Sequence, residues 1–204
     1  MTRLSLGDID EARSLLRDAL RLHRISGCER LGAQDALSLA EVEFAAGETE
    51  TAVQLGDEAA EFFRSHANWT QLATVLCNSS AYLVALGRYE EARVRAREAL
   101  LLGQRTGMSR VIAWTLQHLA SVAALRALNQ ERDLNEVRSS ARLVGFVEAL
   151  LRDVGITRER TEQQEYNKLL EALRVSLGES DVALLLNEGK MWDTARAIAE
   201  ALEV

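Results

Sequence analysis

The feature that most constrains this chain is a 22-residue segment that occurs three times. The copies begin 40 residues apart and read LGDIDEARSLLRDALRLHRISG (6–27), AGETETAVQLGDEAAEFFRSHA (46–67) and LGRYEEARVRAREALLLGQRTG (86–107). Their second residue is always glycine, at Gly7, Gly47 and Gly87, and alanines follow 5 and 12 residues after each glycine. Recurrence at a fixed interval of this size is typical of proteins built from stacked structural repeats.

Each repeat predicts a pair of antiparallel helices joined by a tight turn. In the first copy, Ile9, Ala12, Leu16 and Leu20 follow the spacing of 3 and 4 residues that places apolar side chains on one helix face. The anchor glycines suit a helix C-terminus because glycine adopts the left-handed backbone conformation without a Cβ clash. The acidic residues after them suit the first turn of the next helix. One pair cannot bury its own apolar faces, so the repeats are expected to stack.

A fourth copy, SARLVGFVEAL, is altered and is followed by a different pattern. Ala92 and its counterpart Ala141 are 49 residues apart, and we expect the extra length near residues 127–135. The stretch TEQQEYNKLLEALRVSLG predicts an amphipathic helix with Thr161 as its cap, followed by two shorter helices at about 181–188 and 193–203. Terminal units of stacked repeats are commonly atypical because they cover the exposed core.

The first repeat predicts an uncovered apolar face at the N-terminal end. The sequence before Gly7 is long enough only for the tail of a preceding helix, so the face that carries Ile9 and Leu16 is expected to lack a neighbour. Either a larger protein continues upstream or a second copy covers this face as a homodimer. We favour the first.

Composition and charge restrict the function classes. Apolar residues make up 48% and charged residues 27%, as in soluble globular proteins. The net charge of −7 argues against direct nucleic-acid contact. No signal-peptide core is evident, and no apolar run is expected to cross a bilayer, so the predicted location is cytoplasmic without membrane attachment. Cys28 and Cys77 are far apart in sequence and are expected to be reduced and buried.

The sequence GRYEEARVRAREAL (87–100) resembles the tetratricopeptide repeat. It matches that repeat at Gly87, Tyr89, Ala92 and Ala99, although the period of 40 residues exceeds the common period of about 34. Long repeats of this kind are similar to those of bacterial signal-transduction ATPase regulators of the LuxR and maltose-activator type. ARLVGFVEALLRDVG, YNKLLEALRVSLG and LLNEGKMWDTARAIAEAL are similar, in the same order, to the C-terminal end of those regulators.

The repeats and the resemblance together predict an all-α, right-handed helical solenoid of tetratricopeptide type. About three and a half helix pairs of 40 residues would occupy 1–155, and capping helices would occupy 156–204. The resemblance implies the sensor arm of a bacterial signalling or transcription regulator whose ATPase and output domains lie elsewhere. No GxxxxGK[ST] phosphate-binding loop occurs in the sequence, so nucleotide hydrolysis is not implied for this chain.

Metal-binding and catalytic patterns are weak. His23, His66 and His118 fall in different repeats without a second ligand at helical spacing, so neither a metal site nor a cofactor is expected. A nucleophile would need an adjacent base. Residues 77–80 (CNSS) lie one period before His118, but small Ser79 and Ser80 suit close helix packing far better than catalysis. The chain is therefore not expected to be an enzyme.

A partner-binding surface is predicted on the first helix of each pair, which lines the concave face in solenoids of the tetratricopeptide kind. Three columns at the 40-residue interval would form it: Gln34, Thr74 and Trp114; Ser38, Asn78 and His118; Glu41, Ala81 and Ser121. Hydrogen-bonding groups beside a Trp suit recognition of a peptide or protein, although Trp114 filling a gap between helices is equally consistent with the pattern. The motif that binds chaperone tails is not supported, because only Asn78 is present.

The predicted function is therefore that of a non-catalytic sensor or regulatory module that binds a protein or peptide partner in the concave groove. Two alternatives remain at this point. One is a free-standing scaffold that associates with itself through the N-terminal face, and the other is a domain that binds a small effector.

Overall fold

The computed structural model describes residues 9–129 and 133–203 of the chain, and within these ranges it contains helices and turns but no strand. The prediction of an all-α fold with helices packed in sequence order is confirmed. Ten helices are described: α1 (Ile9–Ile25), α2 (Glu29–Ala45), α3 (Thr49–Ser65), α4 (Trp69–Ala85), α5 (Tyr89–Thr106), α6 (Ser109–Asn129), α7 (Leu134–Asp153), α8 (Arg160–Leu177), α9 (Glu179–Gly189) and α10 (Thr194–Glu203).

The 40-residue interval has a simple origin. Helices α2, α3 and α4 each contain 17 residues and are separated by turns at 46–48 and 66–68. Gly47 and Gly87 each lie in such a turn with φ of 89° and 73°, in the left-handed region that favours glycine. Ala67 takes the corresponding position after α3 with φ of 51°. The predicted helix ends at Gly47 and Gly87 are therefore confirmed, whereas Gly7 lies outside the described residues.

Each helix packs on its sequence neighbours, and a continuous apolar core runs from Leu20 in α1 to Ala201 in α10. Small side chains permit close approach between α3 and α4. A Cβ added at Gly56 would lie 2.5 Å from the Oγ atom of Ser79, and both Ser79 and Ser80 are fully buried. The packing role expected for these two serines agrees with this contact.

The extra nine residues of the fourth copy lie at the ends of two helices and in the turn between them. Helix α6 continues to Asn129, four residues beyond the position equivalent to the end of α4. Helix α7 begins at Leu134, four residues before the position equivalent to the start of α5. The insertion expected near 127–135 is therefore found there, although residues 130–132 lie outside the described parts.

Helices α7 and α9 cross at backbone contact through two glycines. A Cβ at Gly145 would lie 2.0 Å from the carbonyl oxygen of Leu186, and one at Gly189 would lie 1.8 Å from that of Arg142. Because any side chain at either position would overlap a backbone carbonyl group, the two glycines determine how closely these helices pack.

The three helices after Gly155 lie within one or two residues of their predicted positions, but Thr161 does not cap α8. The N-cap position is Glu159, whose side chain makes no capping hydrogen bond, and the Thr161 hydroxyl instead donates to Glu162 at 3.1 Å. Helices α9 and α10 pack on α7, and their buried residues belong to the same apolar core as the repeats. Gly155 lies in the turn between α7 and α8 with φ of 67°.

Two expectations about exposure were wrong. Cys28 is exposed, because it precedes α2 in a turn, whereas Cys77 is buried as expected. On α1, Leu16 packs against the core, and the exposed apolar side chains are instead Leu15, Leu22 and Ile25.

Helix α6 is longer and more apolar than expected from the sequence, where no apolar run was expected to cross a bilayer. Its stretch Ser109–Leu128 is long and apolar enough, by length and composition alone, to span a membrane. Of this stretch, 83% is buried inside the fold, because α6 packs against α4, α5, α7, α8 and α10. A helix enclosed on so many sides is necessarily apolar around most of its circumference.

Candidate partner-binding groove

The nine predicted site residues lie on one face of α2, α4 and α6, which we call the groove, but they differ widely in accessibility. Ser38 is exposed, and five residues are half-buried: Gln34, Glu41, Thr74, Asn78 and Ala81. Trp114, His118 and Ser121 on α6 are buried. The accessible part of the groove is therefore formed by α2 and α4.

Burial at the α6 end is caused by α8, which packs across the groove there. Glu165 of α8 accepts a hydrogen bond from the ring Nδ1 of His118 at 2.9 Å and one from the hydroxyl of Ser121 at 2.6 Å. The side-chain amide of Gln117 donates to the backbone carbonyl of Glu162 at 3.4 Å. No described helix covers the corresponding face of α2 and α4 in this way.

The charge state of His118 follows from this contact. Burial lowers the pKa of the imidazole, but the carboxylate of Glu165 and the neighbouring Cys77 outweigh it and raise the pKa of His118 to about 10. At neutral pH the site therefore holds a buried imidazolium–carboxylate pair. The opposite charges on α6 and α8 attract each other where water is excluded.

Cys77, His118 and Glu165 together include the three group types of a thiol catalytic site, but the arrangement does not support that chemistry. A thiol nucleophile needs a base that can accept its proton and a path for the substrate. Here Cys77 and His118 are only 2% and 3% exposed, so no such path reaches either side chain through the described residues. The trio is suited to fixing α8 on the helix stack.

In the accessible part of the groove, Glu41 and Asn78 connect two repeats. The Asn78 amide donates to Glu41 Oε1 at 2.7 Å, which joins α2 to α4. Burial raises the pKa of Glu41, and the hydrogen bond from Asn78 offsets part of that increase. The charges of Glu159 and Glu162 raise it further, whereas Arg110 lowers it. Glu41 is thus a carboxylate with both basic and acidic side chains around it.

Tyr82 lies beneath this carboxylate with its ring against Phe44, at 4.7 Å between centroids. Its hydroxyl is buried and makes no hydrogen bond of ordinary geometry within the described parts of the chain. Burial raises the pKa of Tyr82, the charge of Glu41 raises it further, and Asn78 lowers it. The indole Nε1 of Trp114 is likewise buried and makes no hydrogen bond within the described parts of the chain.

Sequence reasoning missed the contributions of residues 157–166. The Arg158 guanidinium stacks on the Tyr166 ring at 3.9 Å and donates to Gln117 Oε1 at 2.9 Å. Burial raises the pKa of Tyr166 to about 12, assisted by the hydrogen bond that its hydroxyl donates to Glu148. Glu165 lies four residues after Thr161. Its contact with α6 could not be predicted from the sequence, because that contact depends on which helix Glu165 faces.

The remaining two histidines make other contacts. His23 pairs through Nδ1 with Asp35 at 2.5 Å, and exposed His66 stacks on Phe62 at 4.1 Å between centroids. Across residues 9–129 and 133–203, no cluster of three or more His, Cys, Asp or Glu side chains has the arrangement needed to hold a metal ion.

No protein-family model matches this chain, and a search of curated proteins finds no significant match.

Proposed function

We propose that this chain is a non-catalytic interaction module that binds a protein or peptide partner along the α2–α4 part of the groove. In this proposal it is of tetratricopeptide type and serves as the cytoplasmic sensor or regulatory arm of a bacterial signal-transduction or transcription regulator. The observation that carries the proposal is the packing of α8, because this helix occupies one end of the groove while no described helix covers the equivalent face of α2 and α4.

Helix α8 is an internal example of what the groove accepts. It buries Leu169, Ala172 and Leu173 and directs Glu165 towards polar groups of α6. An amphipathic helix placed on a preformed groove is a common mode of peptide recognition. A partner helix or extended peptide would meet the repeated columns of α2 and α4 in the same way.

The chemistry of the accessible part favours a partner with donor or cationic side chains. Glu41 is the one ionisable residue among the six accessible site residues, so the charge that these residues present is negative. The Glu41 side chain is already oriented by the hydrogen bond that Asn78 donates to its Oε1 at 2.7 Å, so binding would require little additional ordering of the groove. We therefore expect a Lys or Arg of the partner to pair with Glu41.

The test is selection of displayed peptides that bind the intact chain, followed by titration calorimetry with three variants. Glu41→Arg should weaken binding of the selected peptides by at least about tenfold, since an attractive charge pair becomes repulsive. Asn78→Ala should weaken binding less. The exposed α5 residue Gln104 lies outside the groove, so Gln104→Ala is the matched control and should leave affinity unchanged.

Two results would contradict the proposal. In one, selected peptides bind Glu41→Arg and the unmodified chain with equal affinity. In the other, amide chemical shifts on peptide addition change elsewhere and not at Gln34, Ser38 and Thr74. Circular dichroism of each variant establishes that the helices are retained.

A further inference from the structure

Two clefts lie between successive odd-numbered helices, outside the groove. The first has a volume of about 350 Å³ and lies between α1 and α3, above α2. The second has a volume of about 470 Å³ and lies between α3 and α5, above α4. None of the nine groove residues lines either cleft. Both volumes are within the range of about 300–1,000 Å³ that is usual for small-molecule sites.

The two clefts are built from equivalent positions of the repeat. Six positions line both clefts, and each residue of the second cleft follows its counterpart in the first by 40 residues. One position is basic in both clefts, at Arg24 and Arg64. These arginines pair with a glutamate of the next odd-numbered helix, Arg24 with Glu58 at 2.5 Å and Arg64 with Glu98 at 2.8 Å. The repeat itself therefore accounts for this arginine.

An ion pair crosses the second cleft where the first has an apolar wall. Arg95 of α5 contacts Asp57 of α3 at 2.5 Å in the second cleft. Their counterparts in the first cleft are Leu55 and Arg17, which cannot form an ion pair. Arg17 instead donates from Nε and Nη2 to the buried carboxylate of Glu43, at 3.1 and 2.7 Å. The first cleft thus combines a guanidinium with an apolar side chain at these two positions.

Arg21 is the basic residue of the first cleft that ion pairing within the fold explains least. Its counterpart in the second cleft is Glu61, so the repeat does not require a cation at this position. The Arg21 side chain is 62% exposed, and its one ion pair among the described residues joins it to Asp18 of the same helix at 3.8 Å. A guanidinium with so distant a partner can bind an anion that enters the cleft.

Apolar side chains form the deep part and one end of the first cleft. Leu20 and Leu39 line it and are only 4% and 3% exposed, so they form its floor. Ile25 lies at its outer end and is 73% exposed, whereas its counterpart in the second cleft is Ser65. The first cleft therefore offers both apolar surface and guanidinium groups to one ligand.

We infer that the cleft between α1 and α3 is a binding site for a small amphiphilic anion, a monocarboxylate that carries an apolar chain or ring. The apolar part would contact Leu20 and Leu55, and the carboxylate would pair with Arg21. Arg17 can bind the same carboxylate while it holds Glu43, because a guanidinium carries more N–H donors than one carboxylate oxygen uses. This ligand class and this site are separate from the peptide and the groove proposed above.

The second cleft provides an internal comparison. Three acidic and two basic side chains line it, whereas three basic side chains and one acidic side chain line the first cleft. An anion should therefore bind in the first cleft and avoid the second, although the second is larger. Volume alone would favour the opposite choice.

The probe is octanoate, titrated into the intact chain and followed by calorimetry and by amide chemical shifts. We expect one site with a Kd of about 0.1–1 mM, as suits a ligand of this size, and shift changes centred on residues 17–25 and 51–55. Acetate lacks the apolar chain and octylamine carries the opposite charge. Neither should bind at concentrations that saturate the site with octanoate.

Two variants and a matched control separate the contributions of charge and apolar contact. Arg21→Glu should weaken octanoate binding at least about tenfold, because a repulsive charge replaces an attractive one. Leu55→Gln should weaken it about three- to tenfold through lost apolar contact. Arg105→Glu makes the same charge change at an exposed α5 residue that lines neither cleft, so it should leave the affinity within about twofold. Circular dichroism establishes that each variant retains its helices.

Three outcomes would overturn the inference. In the first, acetate or octylamine binds as tightly as octanoate. In the second, Arg21→Glu and Arg105→Glu weaken octanoate binding equally. In the third, octanoate does not bind; cosedimentation of the chain with phosphatidylglycerol vesicles, abolished by Arg21→Glu, would then identify a membrane surface as the occupant. Peptide binding in the groove is tested separately with Glu41→Arg, so the two proposals can fail independently.

Discussion

His118 and Glu165 determine how the last third of the chain is joined to the repeats. They are 47 residues apart in sequence and meet as a protonated imidazole and a carboxylate in a site from which water is largely excluded. The sequence places His118 in a repeat column with Ser38 and Asn78, which predicts an exposed groove position. Its burial depends on where α8 lies, and no local pattern in either helix encodes that long-range contact.

The pair makes stability depend on pH. Because the folded-state pKa of His118 is about 10, above the ordinary value of 6.5, the pair contributes fully below pH 6.5 and its contribution is lost as pH rises through 10. We expect His118→Leu to lower the free energy of unfolding by about 3–5 kcal/mol at pH 6, since it leaves Glu165 without its charged partner. The difference from the unmodified chain should shrink as pH rises towards 10.

Urea unfolding at pH 6, 8 and 9.5 measures this difference. Exposed His66 provides the control, and His66→Leu should change the free energy of unfolding by less than about 0.5 kcal/mol at each pH. A deficit for His118→Leu that stays constant across the series would show that lost packing, and not the charge pair, causes the effect.

At the scale of elements, the sequence was sufficient to predict the helices but not every helix end. The 3- and 4-residue apolar spacing and the turn glycines Gly47 and Gly87 are local signals, so the repeated helices were predictable. Thr161 was misassigned as a cap because α8 begins at Arg160 and its N-cap is Glu159, two residues before Thr161. Capping depends on backbone geometry at a single residue, which composition does not determine.

The α7–α9 crossing leads to a prediction about elements. Gly145→Ala places a Cβ on the carbonyl of Leu186, so the two helices must separate, and we expect a loss of about 1–3 kcal/mol or more in the free energy of unfolding. Gly32 in α2 is also buried and helical, but the nearest atom to an added Cβ is a Leu20 methyl carbon at 4.0 Å. Gly32→Ala should therefore be neutral or stabilise by up to about 1 kcal/mol.

Thermal and urea unfolding of the two variants provide the comparison. Equal stability changes for Gly145→Ala and Gly32→Ala would mean that helix propensity dominates and that α7 and α9 separate at little cost. Circular dichroism at low temperature would establish that both variants retain the same helix content before unfolding.

For the whole molecule, stacking in sequence order predicts that local stability varies along the chain. Helix α1 packs mainly on α2 and exposes three large apolar side chains, whereas α6 packs on five other helices. In stacked repeats each unit depends on its neighbours, so terminal helices open more easily than central ones. Native-state hydrogen exchange should show amide protection in α6 at least about a hundredfold higher than in α1.

Uniform protection from α1 to α10 would contradict this expectation and would indicate a single cooperative unit. The overall stack could be predicted because the repeated segment recurs at a fixed interval, and stacked repeats contact their neighbours in sequence. The return of α8 across α6 could not be predicted, since residues 156–203 belong to no repeat and their positions follow from long-range packing.

The backbone contact at Gly145 and Gly189 also has a mechanical consequence. Helices whose main chains touch cannot slide or tilt without overlap, so the block formed by α6, α7 and α9 should resist bending. Helices α1 to α4 are joined by short turns and pack mainly on near neighbours in the stack. A force applied at α1 should therefore bend the first two repeats before it deforms the stiffer C-terminal block.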